Sequence, residues 1–156
     1  MSSERKPHQS YRELISWQKG MLLAKLIYRL TARFPMEEKS GLVSQMRRAA
    51  ISIPSNLAEG QARRTSGEFV QFISHAEGST AELDTQLTLS VELGFCSAED
   101  SAEPAALIQE LRRMLNALRR SVSSDHSYLI TPNSYPLTPC EQSPLRRPPV
   151  VQTPRF

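Results

Sequence analysis

The apolar residues of one segment keep the period of an α-helix straight through a proline. Between residues 40 and 60, apolar side chains recur every three or four positions on both sides of Pro54. A proline inside a helix costs about 3 kcal/mol, because it removes a backbone donor and its ring contacts the carbonyl four residues earlier. A true break would shift the period of the apolar residues. The pattern therefore predicts one continuous helix that bends at Pro54, and Gly60 is expected to end or loosen it.

Three further segments show the same helical period, and short turns connect them. The predicted helices span residues 11–34, about 40–60, 66–93 and 101–122. Four helices of this length with short connections are typical of an up-and-down bundle. The sequence thus predicts an all-α, up-and-down four-helix bundle over residues 11–122, preceded by a flexible N-terminus of residues 1–10.

Local signals predict where the helices begin and end. Pro35 stops the first helix, and Ser66 is the predicted N-cap of the third. Gly94 occupies the position after that helix, where a left-handed residue is common. Ser101 is the predicted cap of the fourth helix, with Pro104 in its first turn.

The apolar face of the first predicted helix is wider than one bundle core requires. Two sets of apolar residues recur at helical spacing and together cover more than half of its circumference. The excess predicts a subunit interface, so the protein is expected to be a homo-oligomer. Trp17 and Tyr28 are expected in the core. The two sets are Leu14, Trp17, Met21, Ala24 and Tyr28, and Leu23, Leu26, Ile27, Leu30 and Phe34.

The composition changes after the fourth predicted helix. Seven of the 11 prolines lie in the last 25 residues, among Ser, Thr and Arg. Such a segment cannot bury enough apolar surface to offset the entropy of ordering it, so residues 123–156 are predicted to be a disordered tail. Its PLRRPP stretch is either a polyproline-type ligand for a protein partner or plain solvated chain.

The net charge is only +3, but basic and acidic residues are segregated along the sequence. Residues 1–64 hold 12 Lys/Arg and 5 Asp/Glu, and residues 111–156 hold 7 and 2. Residues 65–110 hold 9 Asp/Glu and no Lys or Arg. Two interpretations remain open: basic and acidic surfaces for nucleic acid or neighbouring subunits, or an acidic helix packed beside basic helices of the same chain.

Catalytic and metal-binding patterns are missing from the sequence. There is no phosphate-binding loop, no Cys/His zinc spacing and no Glu-x-x-His pair of the kind that builds di-iron sites in helical bundles. Cys96 and Cys140 form no disulfide framework. The N-terminus lacks a signal-peptide core, and the longest apolar run is interrupted by Lys25 and Arg29. We expect a cytoplasmic, non-enzymatic protein without cofactor, metal or membrane contact.

Basic side chains on three predicted helices are candidates for contacts with RNA or single-stranded DNA. Arginine suits this role because its planar guanidinium donates two hydrogen bonds to one phosphate. No aromatic residues for contacts with bases are evident, since Trp17 and Tyr28 are both expected in the core. The alternative is that these basic side chains only form solvent-exposed faces of the helices and bind no ligand. The candidates are Lys25, Arg29, Arg33, Arg47, Arg48, Arg63, Arg64, Arg112, Arg113, Arg119 and Arg120.

Three stretches resemble a known family: LISWQKGMLLAKLIYRLTARFP, GLVSQMRRAAISIPSNLAEGQARRTSGEFVQFISHAEGSTAELDTQL and ELGF. They are similar to the small four-helix-bundle proteins encoded in intervening sequences of bacterial 23S rRNA genes, over roughly residues 11–120. The resemblance implies homopentamers without established catalytic activity and an association with rRNA. It also implies a fold like that of the accessory protein of diversity-generating retroelements, a basic pentamer that binds nucleic acid and a reverse transcriptase.

The SIPSNLAEG signature of this resemblance contains Pro54, Asn56, Glu59 and Gly60. The polar pair Asn56 and Glu59 either belongs to a ligand site or fixes helix and subunit geometry. Glu59 is expected to be partly buried and paired with an arginine, Arg47 or Arg63. Two functions from different classes follow: an oligomer that binds nucleic acid through phosphates, or a structural adaptor that scaffolds a protein partner.

Overall fold

A computed structural model describes residues 10–127, which form a bundle of four α-helices. Each helix packs against its neighbours in the chain, and α1 closes the bundle against α4. The described residues contain no strand, so the prediction of an all-α, up-and-down bundle is confirmed. The helices are α1 (Ile15–Thr31), α2 (Leu42–Gln61), α3 (Ser66–Glu92) and α4 (Ala98–Ser127), with short 3-10 helices at Tyr11–Glu13 and Met36–Lys39.

The core lies between the four helices and receives fully buried side chains from each of them. These residues follow the helical period that the sequence shows, which explains why the pattern located the helices correctly. The largest are Leu23 and Ile27 of α1, Met46, Ile53 and Leu57 of α2, Ile73 and Leu83 of α3, and Ile108, Leu111 and Leu115 of α4.

Helix α2 continues through Pro54 without interruption, as predicted. The proline ring is buried at the contact between α1 and α2. A Cβ placed on Gly20 of α1 would lie 3.3 Å from Pro54 Cδ and 3.4 Å from Pro54 Cβ. The two helices therefore approach closely where a residue without a side chain faces the ring. The bend at Pro54 stays a prediction.

We expect the Pro54→Ala variant to be no more stable than the wild type, although an internal proline usually costs about 3 kcal/mol. The ring fills space against Gly20, and its removal leaves that contact unfilled. The variant is also expected to assemble abnormally, because a straightened α2 shifts Arg47 and Arg48 relative to Arg63. Urea unfolding and light scattering test this. A variant that is markedly more stable and has the wild-type mass would contradict it.

Gly60 lies inside α2, one residue before its end, and its role is close packing against α3. A Cβ on Gly60 would lie 2.5 Å from Phe72 Cβ and 2.8 Å from Phe69 Cδ2. Both distances are shorter than a van der Waals contact, so no other residue fits here unless the two helices separate. The glycine does not itself end the helix, which continues to Gln61.

Two predicted helix caps are wrong by a few residues. Thr65, not Ser66, caps α3: its hydroxyl accepts the Glu68 amide at 3.2 Å, and the Glu68 carboxylate accepts the Thr65 amide in return. Helix α4 begins at Ala98, where the Ser97 hydroxyl accepts the Asp100 amide at 3.0 Å. Gly94 has a φ of 73°, as its predicted position requires.

Further residues near the helix ends also differ from the expectation. Ser101 is buried inside α4 and donates to the Ala98 carbonyl, and Pro104 lies within that helix beyond its first turn. Residues 11–13 form a 3-10 helix capped by Ser10 rather than the start of α1. Helix α4 extends to Ser127, past the predicted start of the tail at residue 123. Residues 1–9 and the rest of the predicted tail, 128–156, lie outside the described residues.

Candidate nucleic-acid interface

Two arginines of α4 form ion pairs with acidic residues of α3. Arg112 Nη1 lies 3.4 Å from Asp84 Oδ2, and Arg119 Nε lies 3.1 Å from Glu77 Oε2. Arg119 also donates to the Asn116 side chain at 3.0 Å. The packing of an acidic helix beside a basic one within the same chain thus occurs here. These two arginines are already engaged, and a phosphate would have to displace a carboxylate to bind them.

The C-terminal end of α1 lies beside acidic residues near the N-terminus of α4. Arg33 Nη2 lies 3.1 Å from Asp100 Oδ1. Hydrogen bonds from the Ser97 hydroxyl and from Arg33, with the charge of Arg33, hold the pKa of Asp100 below its usual range. Arg29 lines the same open groove, of about 450 Å³, together with three carboxylates of α4: Glu99, Asp100 and Glu103. The basic strip on this part of α1 is therefore balanced by acidic neighbours.

Arg63 pairs with Glu59 one helical turn earlier. The Arg63 guanidinium also lies 4.9 Å from the centre of the Phe72 ring. The predicted partner of Glu59 is thus confirmed, but the predicted burial is wrong, because the Glu59 side chain is 55% exposed. The pair lies at the solvent-exposed end of α2, beyond the core.

Asn56 acts in the helix packing. Its side-chain amide donates to the Ser52 carbonyl at 2.8 Å and to the Ser52 hydroxyl oxygen at 2.9 Å. The Ser79 hydroxyl of α3 donates to the same Ser52 oxygen at 2.9 Å. The half-buried amide thereby belongs to a short polar chain that joins α2 to α3. This arrangement favours the interpretation that Asn56 fixes helix geometry.

A groove on the side of α1 and α2 is lined by three basic side chains and by no carboxylate. We call it the basic groove. It measures about 380 Å³. In it the structure brings Arg47 and Arg48, both predicted candidates, together with Lys39, which precedes α2. The nearby Glu38 carboxylate is engaged elsewhere, since it accepts the Leu42 amide at 3.0 Å. The basic groove is lined by Tyr28, Lys39, Val43, Ser44, Arg47, Arg48 and Ile51.

The guanidinium of Arg47 is held in place within the basic groove. Its Nε donates to the Thr31 hydroxyl oxygen at 2.9 Å, and that buried hydroxyl donates to the Ile27 carbonyl at 2.7 Å. The guanidinium carbon lies 4.6 Å from the centre of the Tyr28 ring. Among the described residues, the two terminal nitrogens of Arg47 donate to no acceptor. The charge is thus positioned by the protein but not neutralised.

The remaining candidates are exposed and scattered over the surface. Arg64 lies just after α2, Lys25 is on α1, and Arg113 and Arg120 are on the outer side of α4. Within the part of the chain that the structure describes, none of these four, nor Arg29, forms an ion pair. None of them lines the groove that contains Arg47 and Arg48.

A second groove on the same side of the bundle is mostly apolar, and we call it the apolar groove. It contains the surplus face that the sequence predicts on α1: Met21 is 37% exposed and Trp17 is half-buried. Ile51 belongs to both grooves, so the two are continuous. The apolar groove is lined by Tyr11, Trp17, Met21, Ala24, Ile51, Pro54, Ser55 and Ala58.

The placement of Tyr28 in the core is wrong. Its side chain is 42% exposed, whereas Ile27 beside it is fully buried. Leu23, Ile27 and Leu30 of one apolar set on α1 face the core. In the other set Ala24 is also buried, but Met21 and Tyr28 are exposed. Sequence reasoning thus missed Tyr28 and Lys39 as residues of the basic groove. One signal was available, because Tyr28 lies between Lys25 and Arg29 on the helix.

Membrane-spanning helices and metal-binding clusters are both absent from the described residues. No helix within residues 10–127 is long and apolar enough to cross a membrane. In the same part of the chain, no three His, Cys, Asp or Glu side chains come together as a metal site would require.

Comparisons with known proteins agree with the resemblance seen in the sequence. The profile of the 23S rRNA-intervening sequence protein family matches residues 12–117. A solved structure with the same fold is a protein of unknown function from the S23 ribosomal protein family of Bacteroides thetaiotaomicron VPI-5482. Its TM-score is 0.61 at 17% identity, and the match covers 67% of this chain and 98% of that one. No curated protein matches the sequence significantly.

Proposed function

The chain belongs to the 23S rRNA-intervening sequence protein family, and from this premise we propose that it is a non-catalytic homo-oligomer that binds RNA or single-stranded DNA through phosphates. The observation that carries the proposal is the basic groove, where Lys39, Arg47 and Arg48 converge without a carboxylate. Such a groove attracts polyanions, and its contacts with phosphates are independent of sequence. Ribosomal RNA is one candidate ligand, because the family resemblance implies an association with rRNA.

The ion pairs elsewhere support this location over the other basic strips. Arg112, Arg119 and Arg33 each lie beside an acidic side chain of the same chain. A phosphate approaching them meets a local charge near zero, so the gain from counterion release is small. Arg47 and Arg48 have no such partner, and the guanidinium of Arg47 is already oriented by Thr31.

The apolar groove supports self-association as the second part of the proposal. Met21 and Ile51 expose apolar surface along one side of α1 and α2, and the half-buried Trp17 lines the same groove. Burial of such a patch against another copy removes it from water, at about 25 cal/mol per Å². Because the grooves are continuous, copies that meet at the apolar groove place several basic grooves near one another. Weak phosphate contacts then add through multivalency.

Light scattering tests the assembly. We expect a mass well above the 17.5 kDa of one chain, and about 87 kDa for the five copies that the family resemblance implies. Replacing the exposed Met21 with glutamate is expected to lower the mass, since it places a charge in the apolar groove. The monomer mass at micromolar wild-type concentration would contradict the assembly.

Fluorescence anisotropy with labelled, unstructured RNA tests the binding. We expect binding at about 50 mM salt that weakens strongly at about 200 mM. For a single strand, log affinity falls linearly with log salt, with a slope near −0.7 for each phosphate neutralised. RNAs of unrelated sequence are expected to bind alike. Absence of binding at the lower salt concentration, or binding that barely responds to salt, would contradict the proposal.

A further inference from the structure

The basic groove combines its cations with an exposed aromatic ring, which phosphate binding alone does not require. The Tyr28 ring is 42% exposed and lies against the guanidinium of Arg47, at 4.6 Å from its centre. Val43 and Ile51 add apolar surface to the same groove. A flat π-system, a planar cation and an apolar wall together form a surface on which a nucleobase can stack.

We infer that the basic groove binds an unpaired nucleotide, whose base stacks on the Tyr28–Arg47 pair while Lys39 and Arg48 hold the flanking phosphates. This inference rests on the proposed function and names its ligand class. Bases in a duplex are stacked on each other and are not available to a protein ring. The groove therefore selects single strands, loops and bulges over duplexes, although any base has a face that stacks.

The positioning of Arg47 supports stacking rather than a flexible charge. The buried Thr31 hydroxyl accepts from Arg47 Nε and donates to the Ile27 carbonyl, which fixes the plane of the guanidinium. A rigid planar group loses little conformational freedom when a base binds on it. The groove volume of about 380 Å³ lies within the range of clefts that hold small organic ligands, about 300–1,000 Å³.

The test compares three nucleic acids that carry the same number of phosphates by anisotropy: an oligouridylate, the same backbone without bases, and an RNA duplex of half that length. The wild type is expected to bind the oligouridylate roughly 5- to 150-fold more tightly than the backbone without bases, as one stacked base implies. The Tyr28→Leu variant is expected to bind the oligouridylate and the base-free strand with nearly equal affinity. Tyr28→Phe, which retains the ring, is expected to behave like the wild type.

Equal affinity of the wild type for the oligouridylate and the base-free strand would overturn the stacking inference and leave phosphate binding intact. An oligouridylate affinity unchanged in Tyr28→Leu would overturn it as well. If the wild type binds none of the three, the proposed function fails together with the inference. The wild-type comparison needs no variant, so it decides the matter even if Tyr28→Leu folds poorly.

Discussion

The Gly60→Ala variant is expected to lose about 2–3 kcal/mol of unfolding free energy, although alanine is normally the better helix former. Its Cβ would lie 2.5 Å from Phe72 Cβ, an atom fixed to the backbone of α3, so the helices must move apart. Overpacking of a core costs about 1–3 kcal/mol, and here no side-chain rotation relieves it. Urea unfolding followed by circular dichroism, at one fixed protein concentration, measures the loss.

Gly78 provides the matched control for that experiment. It also lies inside a helix, α3, but a Cβ there would meet no atom within 4 Å. Gly78→Ala is therefore expected to stabilise the protein by about 0.5–1 kcal/mol, because alanine loses less backbone entropy on folding. Equal effects of the two substitutions would show that the contact between α2 and α3 at Gly60 has no special role.

Replacing Arg47 and Arg48 with glutamate together is expected to lower the affinity for single-stranded RNA by roughly 100-fold or more. A hydrogen bond to a charged group contributes about 1.5–3 kcal/mol, and the double variant loses two such donors and adds repulsion. The expected loss corresponds to at least about 2.8 kcal/mol. Anisotropy at low salt measures it, with circular dichroism and light scattering to confirm fold and mass.

The matched control reverses the same number of charges on α4. Arg113 and Arg120 are exposed and form no ion pair among the described residues, so their replacement by glutamate changes the net charge equally. We expect this double variant to retain most of the affinity, apart from a modest long-range effect that salt screens. If both double variants lose binding alike, affinity follows net charge and not the basic groove.

The fold could be predicted from the sequence because the residues that fill the core are the apolar residues that recur with the period of a helix. Leu42, Met46, Ile53 and Leu57 keep their phase across Pro54, and α2 is continuous there. The cap of α3 is not fixed by the sequence, because Thr65 and Ser66 are neighbours and either side chain can accept a hydrogen bond from the first turn. Such errors move a helix end by a residue or a few and leave the packing unchanged.

The candidate site could be predicted only in part, because it depends on which helices become neighbours. A sequence shows that Arg33 and Arg119 are basic, but not that Asp100 and Glu77 lie beside them. The wide apolar face of α1 has two halves of similar composition. Periodicity alone does not tell which half faces the core, so Tyr28 was misplaced.

The roles of two glycines were beyond sequence reasoning for a related reason. Gly20 and Gly60 lie where another helix approaches closely. Pro54 lies against Gly20, and Phe72 lies against Gly60. Helical period places Gly20 and Gly60 on buried faces and Gly78 on an exposed face, but it does not show which atoms of another helix approach them. A close approach between two helices can be recognised only when the positions of both helices are known.

Photo-crosslinking locates the nucleic acid most directly. A single-stranded RNA that contains 4-thiouridine is bound to the full chain at low salt and irradiated, and the adducts are mapped by mass spectrometry of the peptides. We predict adducts in residues 25–51, which include Tyr28, Lys39, Arg47 and Arg48, and their loss at high salt. Adducts confined to α4, or none under conditions where RNA binds, would contradict the assignment of the basic groove as the nucleic-acid interface.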